Sequence, residues 1–162
     1  MDAAPKQPLL DVLTVGEPLA LFVAQQPGDL ADIGSFQRFA AGAELNVATG
    51  LARLGVRVAY LSKVGEDAFG RFVRRTLYTE GIDARYLIND AQHSTGFMLK
   101  GRTDDGSDPA IEYHRRGSAA SHMGLADWQW TERKVVKSCT PTKACAHRCM
   151  ASASSGWATS QA

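Results

Sequence analysis

Between residues 42 and 80 the spacing of the apolar residues switches from helical to extended and back to helical, which commits the chain to alternating strands and helices. Gly42 opens a segment in which Leu45, Ala48, Leu51, Ala52 and Leu54 fall on one helical stripe, and Gly55 stops it. Val56 to Val64 then alternates apolar and polar residues, as a strand does. After Gly65-Glu66-Asp67, Asp67 is suited to cap a helix over 68–80 whose buried face is Phe69, Phe72, Val73 and Leu77. Upstream, Asp11 to Val15 reads as a buried strand. Leu19 to Ala24 follows so closely that it is expected to pair as the next one, and Ser35 to Ala40 suits a strand with one wet face. Shorter extended pieces follow at Ala84–Leu87, Gly96–Lys100 and Ile111–His114, with a hairpin turn expected at Thr103–Gly106. The order predicts an α/β fold with a parallel sheet, and the early cluster of extended segments predicts a small extra sheet attached to it.

Charge divides the chain in two. Residues 1–128 hold 13 Lys and Arg against 16 Asp and Glu, whereas residues 129–162 hold five against one. The second stretch has no Leu, Ile or Phe and contains all three cysteines. The net charge of +1 leaves no electrostatic footprint for nucleic acid. No apolar run reaches the ~20 residues that a membrane-spanning helix requires, so no membrane partner is expected. Met1 to Leu10 lacks a signal-peptide core, which predicts a cytoplasmic location.

Three segments could carry chemistry. In Ala41-Gly42-Ala43-Glu44-Leu45-Asn46, small residues between a strand and a helix let a ligand approach the backbone, and Asn46 offers both a donor and an acceptor to a hydroxyl-rich molecule. The same residues equally serve a tight turn. Val64 to Gly70 either presents helix N–H groups to an anion or is a cap at Asp67 with glycines for close packing. Ile111 to Arg116 interleaves aromatic and cationic residues; period two puts Tyr113 and Arg115 on one face, where Arg can grip a carboxylate bidentately. A half-exposed edge strand with solvated charges would have the same pattern. The chain has neither G-x-G-x-x-G after its first strand nor G-x-x-x-x-G-K-[ST], which disfavours a dinucleotide oxidoreductase.

Taken in order, these pieces resemble the ribokinase-like (phosphofructokinase-B type) carbohydrate kinases. The resemblance rests on Val15-Gly16-Glu17-Pro18, on G-x-x-x-N-x-A-x-x-L-A-R-L-G at 42–55, and on G-x-D-x-x-G at 65–70. It continues through Glu80 to Asp83, Thr95-Gly96 and Tyr113 to Ala120. G-E-P and Y-x-R-x-G-S-A look most like the ketodeoxygluconate kinases of that superfamily. The resemblance implies a ribokinase-like parallel sheet flanked by helices, with a small β lid, present as its N-terminal part over residues 9–127. It implies ATP-dependent phosphorylation of 2-keto-3-deoxygluconate or a related sugar acid, with Mg²⁺. Gly42 and Asn46 would line the sugar pocket. Tyr113 and Arg115 would come from the lid, Arg115 facing the carboxylate. Met98 stands where such kinases often place an aromatic residue, and Ala41-Gly42 where some have Gly-Gly.

The family's catalytic Asp lies in a G-A-G-D motif in its second half, and this sequence contains no G-x-G-D at all. The chain by itself is therefore expected to lack the catalytic base and the ATP site. The alternative is a non-catalytic sugar-binding module, or one that forms homo-oligomers through the lid sheet. Residues 128–162 are expected to be a divergent, unstructured tail, of the composition that an out-of-frame reading near Gln129 would produce. Cys139, Cys145, His147 and Cys149 could ligate zinc, but C-x5-C-x-H-x-C is not a standard zinc spacing.

Overall fold

A computed structural model of the chain describes residues 10–127. The tail, its cysteines and the frame-shift expectation lie outside the described residues. Strands β1 (Val12–Val15), β4 (Val58–Gly65) and β5 (Leu87–Asp90) form a parallel sheet in the order β1-β4-β5. Strands β2 (Leu19–Ala24), β3 (Phe36–Ala41), β6 (Phe97–Lys100) and β7 (Ile111–His114) form a second sheet in the order β3-β2-β6-β7. Helix α1 (Ala43–Arg53) precedes β4 and helix α2 (Ala68–Thr79) follows it. The α/β expectation and the extra sheet both hold.

The core follows from the two periods. In β4, Val58, Tyr60 and Val64 alternate onto one face, where they join Leu45 and Ala48 of α1, Val73 and Leu77 of α2, and Ile82 and Leu87. Helix α2 serves two partners. Its Val73 and Leu77 enter that core, while Phe69 meets Phe22 and Phe97 of the second sheet at ring-centroid distances of 5.3 and 5.7 Å, and Arg38 stacks 4.1 Å over Phe72. One underside of the second sheet is thereby fixed to α2.

Four local expectations are corrected. Strand β2 does not pair with β1; after Gly16-Glu17-Pro18 the chain leaves the parallel sheet, and β2 pairs with β3 and β6. The strand expected at 84–87 begins only at Leu87, because Asp83 makes an isolated bridge to Ala59 and residues 84–86 turn. No tight hairpin closes at 103–106. Lys100 pairs with Ile111, so the connection spans ten residues, held by bonds from Thr103 Oγ1 to the Ser107 carbonyl and from the Ser107 N–H to Asp105. Leu54, placed on the apolar stripe, is 81% exposed because α1 ends at Arg53.

Candidate functional site

Four passages of backbone enter or leave the two sheets at one end: 16–18, 41–42, 91–96 and, after β7, 115–118. All four passages meet at Glu17. It lies just beyond the C-terminal end of β1, the end at which open α/β sheets bind ligands.

Gly42 is the N-cap of α1, with φ +138°. A side chain there would be strained by that φ, and its Cβ would stand 2.7 Å from the Glu17 carbonyl oxygen. The second passage can therefore lie directly against the first. Asn46 lies one turn further on; its backbone N–H donates to the Gly42 carbonyl at 2.9 Å, and its side chain is exposed.

From the second sheet come Met98, Tyr113 and Arg115. Met98 is opposite Tyr113 in the β6–β7 register, so both lie on the face turned away from α2, Met98 buried and Tyr113 58% exposed. Leu21 and Phe39 continue that row across β2 and β3. Arg115 follows immediately after β7 and lies beside Gly96, whose missing side chain leaves room: a Cβ there would be 3.4 Å from Arg115 Cβ and 2.6 Å from Glu17 Oε1.

The Glu17 side chain is only 5% exposed. Its Oε1 accepts a hydrogen bond from Ser118 Oγ at 2.6 Å, and its Oε2 lies 2.7 Å from Arg115 Nε. The second contact is an ion pair rather than an aligned hydrogen bond, since among the described residues no donor is aligned on Oε2. Among the described residues the buried Tyr60 hydroxyl has no hydrogen-bond partner; burial, and then the charges of Glu44 and Glu17, push its pKa well above the usual phenol range.

The turn at 64–70 is closed by its own side chain. Asp67 Oδ1 accepts from the Gly70 N–H at 2.7 Å and from Thr95 Oγ1 at 2.9 Å, while Oδ2 accepts from the Thr95 N–H at 2.7 Å. Thr95 Oγ1 in turn accepts from the Gly65 N–H at 2.9 Å. Burial pushes the Asp67 carboxyl up, but the bonds from Thr95 and Gly70 outweigh it and hold the group below the usual carboxylate value. An anion would find this helix start already occupied by a carboxylate.

Of the residues singled out in the sequence, Gly42 touches Glu17 through its backbone, Arg115 touches it through its side chain, and Met98 and Tyr113 form a cross-strand pair on the lid face. Glu17 and Ser118 were not singled out as site residues. The available signal for Glu17 was an acidic residue set between Gly16 and Pro18 at the end of a buried strand.

Comparison with known proteins identifies the family and the fold. The pfkB family carbohydrate kinases match residues 10–148, a span that passes the Asp127 boundary expected from the sequence. A 2-dehydro-3-deoxygluconokinase of Bacillus subtilis is 42% identical over 120 residues, 74% of this chain and 37% of that protein. A fructokinase of Escherichia coli is 46% identical over 65 residues, 40% of this chain and 21% of that protein. Among solved structures, a PfkB protein from Polaromonas sp. JS666 superposes with a TM-score of 0.70 at 50% identity, covering 73% of this chain and 40% of its own. A sugar kinase from Pyrococcus horikoshii in complex with ATP superposes with a TM-score of 0.68 at 33% identity, covering 74% of this chain and 38% of its own. The chain thus spans about two fifths of the length of the full kinases it resembles, and across that span it belongs to the pfkB family of carbohydrate kinases.

Proposed function

We infer that these residues are the sugar-binding part and lid of an ATP-dependent kinase for 2-keto-3-deoxygluconate or a related sugar acid. The observation that carries this reading is the placement of Arg115. Its side chain stands beside Gly96 at the strand ends, on the lid face that also presents Tyr113. A guanidinium suits a carboxylate, and the Asn46 amide suits sugar hydroxyls. The relative named 2-dehydro-3-deoxygluconokinase supports the acid; the relatives named fructokinase make a neutral ketose the competing substrate.

ATP, when bound, supplies the γ-phosphoryl group to a sugar hydroxyl, and catalysis of such a transfer rests on positioning and charge neutralisation. This chain's residues contribute the positioning of the sugar. Gly42 allows close backbone approach, Asn46 offers hydrogen bonds, Tyr113 and Met98 cover one side, and Arg115 holds the acid group. Among the described residues no group of three or more His, Cys, Asp or Glu side chains could hold a metal ion, so no step is assigned to Mg²⁺ here. The base and the ATP contacts are assigned to a G-x-G-D-bearing segment that this sequence does not contain. A cytoplasmic location fits the use of ATP, and among the described residues no helix is long and apolar enough to cross a membrane.

ATP turnover with 2-keto-3-deoxygluconate, measured on this chain alone, tests the division of labour. Binding without turnover above background is expected; sustained turnover would show that the base lies within these residues. A second reading is favoured by one observation. Phe39, Ile111 and Tyr113 are 43%, 45% and 58% exposed, and all three lie on the lid face away from α2, which would also suit contact with a second copy.

A further inference from the structure

We propose that Glu17 is a positioning residue whose carboxylate sets the orientation of Arg115, and that it thereby determines selectivity for acid over neutral sugars. The proposal rests on the sugar-acid reading above and adds to it a residue that reading does not use.

Three observations carry it. Glu17 is nearly inaccessible, with a side chain 5% exposed, so its charge faces protein rather than solvent. Both of its oxygens are committed to the passage after β7, Oε1 to Ser118 Oγ at 2.6 Å and Oε2 to Arg115 Nε at 2.7 Å. The surrounding backbone is shaped to admit that carboxylate: a Cβ on Gly96 would stand 2.6 Å from Oε1, and a Cβ on Gly42 would stand 2.7 Å from the Glu17 carbonyl oxygen. A merely structural acid at this junction would not need to leave its cationic partner at the rim, yet the Arg115 side chain remains 41% exposed.

The chemistry follows from the geometry. A long Arg side chain left to itself spreads over many rotamers, and a ligand carboxylate must then bear the cost of ordering it. With Nε held against a fixed acid, the guanidinium is kept near the strand ends before the ligand arrives. Glu17 also opposes an incoming anion electrostatically. The guanidinium lies between the two, and the Glu17 charge is already compensated by it, so ordering outweighs repulsion. A neutral sugar makes no use of the guanidinium charge and is indifferent to both effects.

The test is a double-mutant cycle read by titration of the chain with 2-keto-3-deoxygluconate and, separately, with fructose. Glu17→Gln keeps the volume and an acceptor for Ser118 while removing the charge, and far-UV circular dichroism with a melting curve checks that the fold is kept. Should Glu17→Gln unfold the chain, Ser118→Ala, which frees the carboxylate from one side only, takes its place in the cycle. In the wild-type background the substitution is expected to weaken the acid about tenfold, the scale of ordering one long side chain, and to leave fructose unchanged. In an Arg115→Ala background it is expected to change neither. An equal loss of acid affinity with and without Arg115, an equal loss for fructose, or a gain in acid affinity would overturn the positioning role. If instead Arg115→Ala itself shows no preference between the two sugars, the sugar-acid reading fails and the proposal fails with it.

Discussion

Asp67 and Thr95, 28 residues apart, are joined by two hydrogen bonds, from the Thr95 N–H to Oδ2 at 2.7 Å and from Thr95 Oγ1 to Oδ1 at 2.9 Å. The same carboxylate caps α2 through the Gly70 N–H. One side chain therefore starts a helix of the core and fixes the passage that leads into β6.

Replacing it should be costly. Asp67→Ala removes an N-cap, worth about 1 kcal/mol, and leaves the buried Thr95 N–H unpaired, worth about 1–3 kcal/mol more. A urea or thermal melt should show a loss of about 2–4 kcal/mol. A change under about 0.5 kcal/mol, the level of an ordinary surface substitution, would mean that the cap does not anchor the passage.

The same group gives a pH dependence with a definite sign. Its folded-state pKa is depressed below 3.8, so it contributes stability at all pH values above the unfolded value and loses that contribution as pH falls below 3.8. Asp67→Asn should flatten the acid limb of the stability profile between about pH 4 and pH 2 relative to wild type. An unchanged acid limb would contradict the assignment.

Two glycines make opposite predictions. Gly42 has φ +138° and no room for a Cβ, so Gly42→Ala should destabilise by about 1–3 kcal/mol. Gly50 lies inside α1 with nothing within 4 Å of a built Cβ, so Gly50→Ala should stabilise by about 0.5–1 kcal/mol. Chemical denaturation of the pair checks both signs: a stabilised Gly42→Ala would contradict the geometry at Gly42, and a destabilised Gly50→Ala that at Gly50.

The sequence carried the local structure well and the site poorly, for a physical reason. Helix α1, strand β4, and helix α2 with its Asp67 cap are recorded in period and end residues, which are local properties. Phe69 and Phe72 lie on the apolar stripe as expected, yet they face the second sheet; periodicity shows that a face is buried but not what covers it. Asp-Asp-Gly at 104–106 resembles a hairpin turn, but the closing bond from Thr103 to Ser107 belongs to a wider loop. Glu17 was least legible because its partner Ser118 is 101 residues away, and no spacing rule reaches that far.

The lid face gives a further expectation. Ile111 and Tyr113 are exposed on β7, an edge strand of the second sheet. Sedimentation of the chain at rising concentration should show self-association that Ile111→Lys weakens. Identical sedimentation for both chains would remove this face as a contact between copies.

If Arg115 recognises a sugar carboxylate as proposed, titration calorimetry of Arg115→Ala and Arg116→Ala with 2-keto-3-deoxygluconate and fructose will separate the two sugars. Arg116 is exposed and next in sequence, which makes it the matched control. A charge-assisted pair of about 1.5–3 kcal/mol predicts that Arg115→Ala weakens the acid roughly 10- to 150-fold. Fructose affinity should stay unchanged, and Arg116→Ala should have little effect on either sugar. Equal losses for the two sugars, or a larger loss at Arg116 than at Arg115, would contradict the claim.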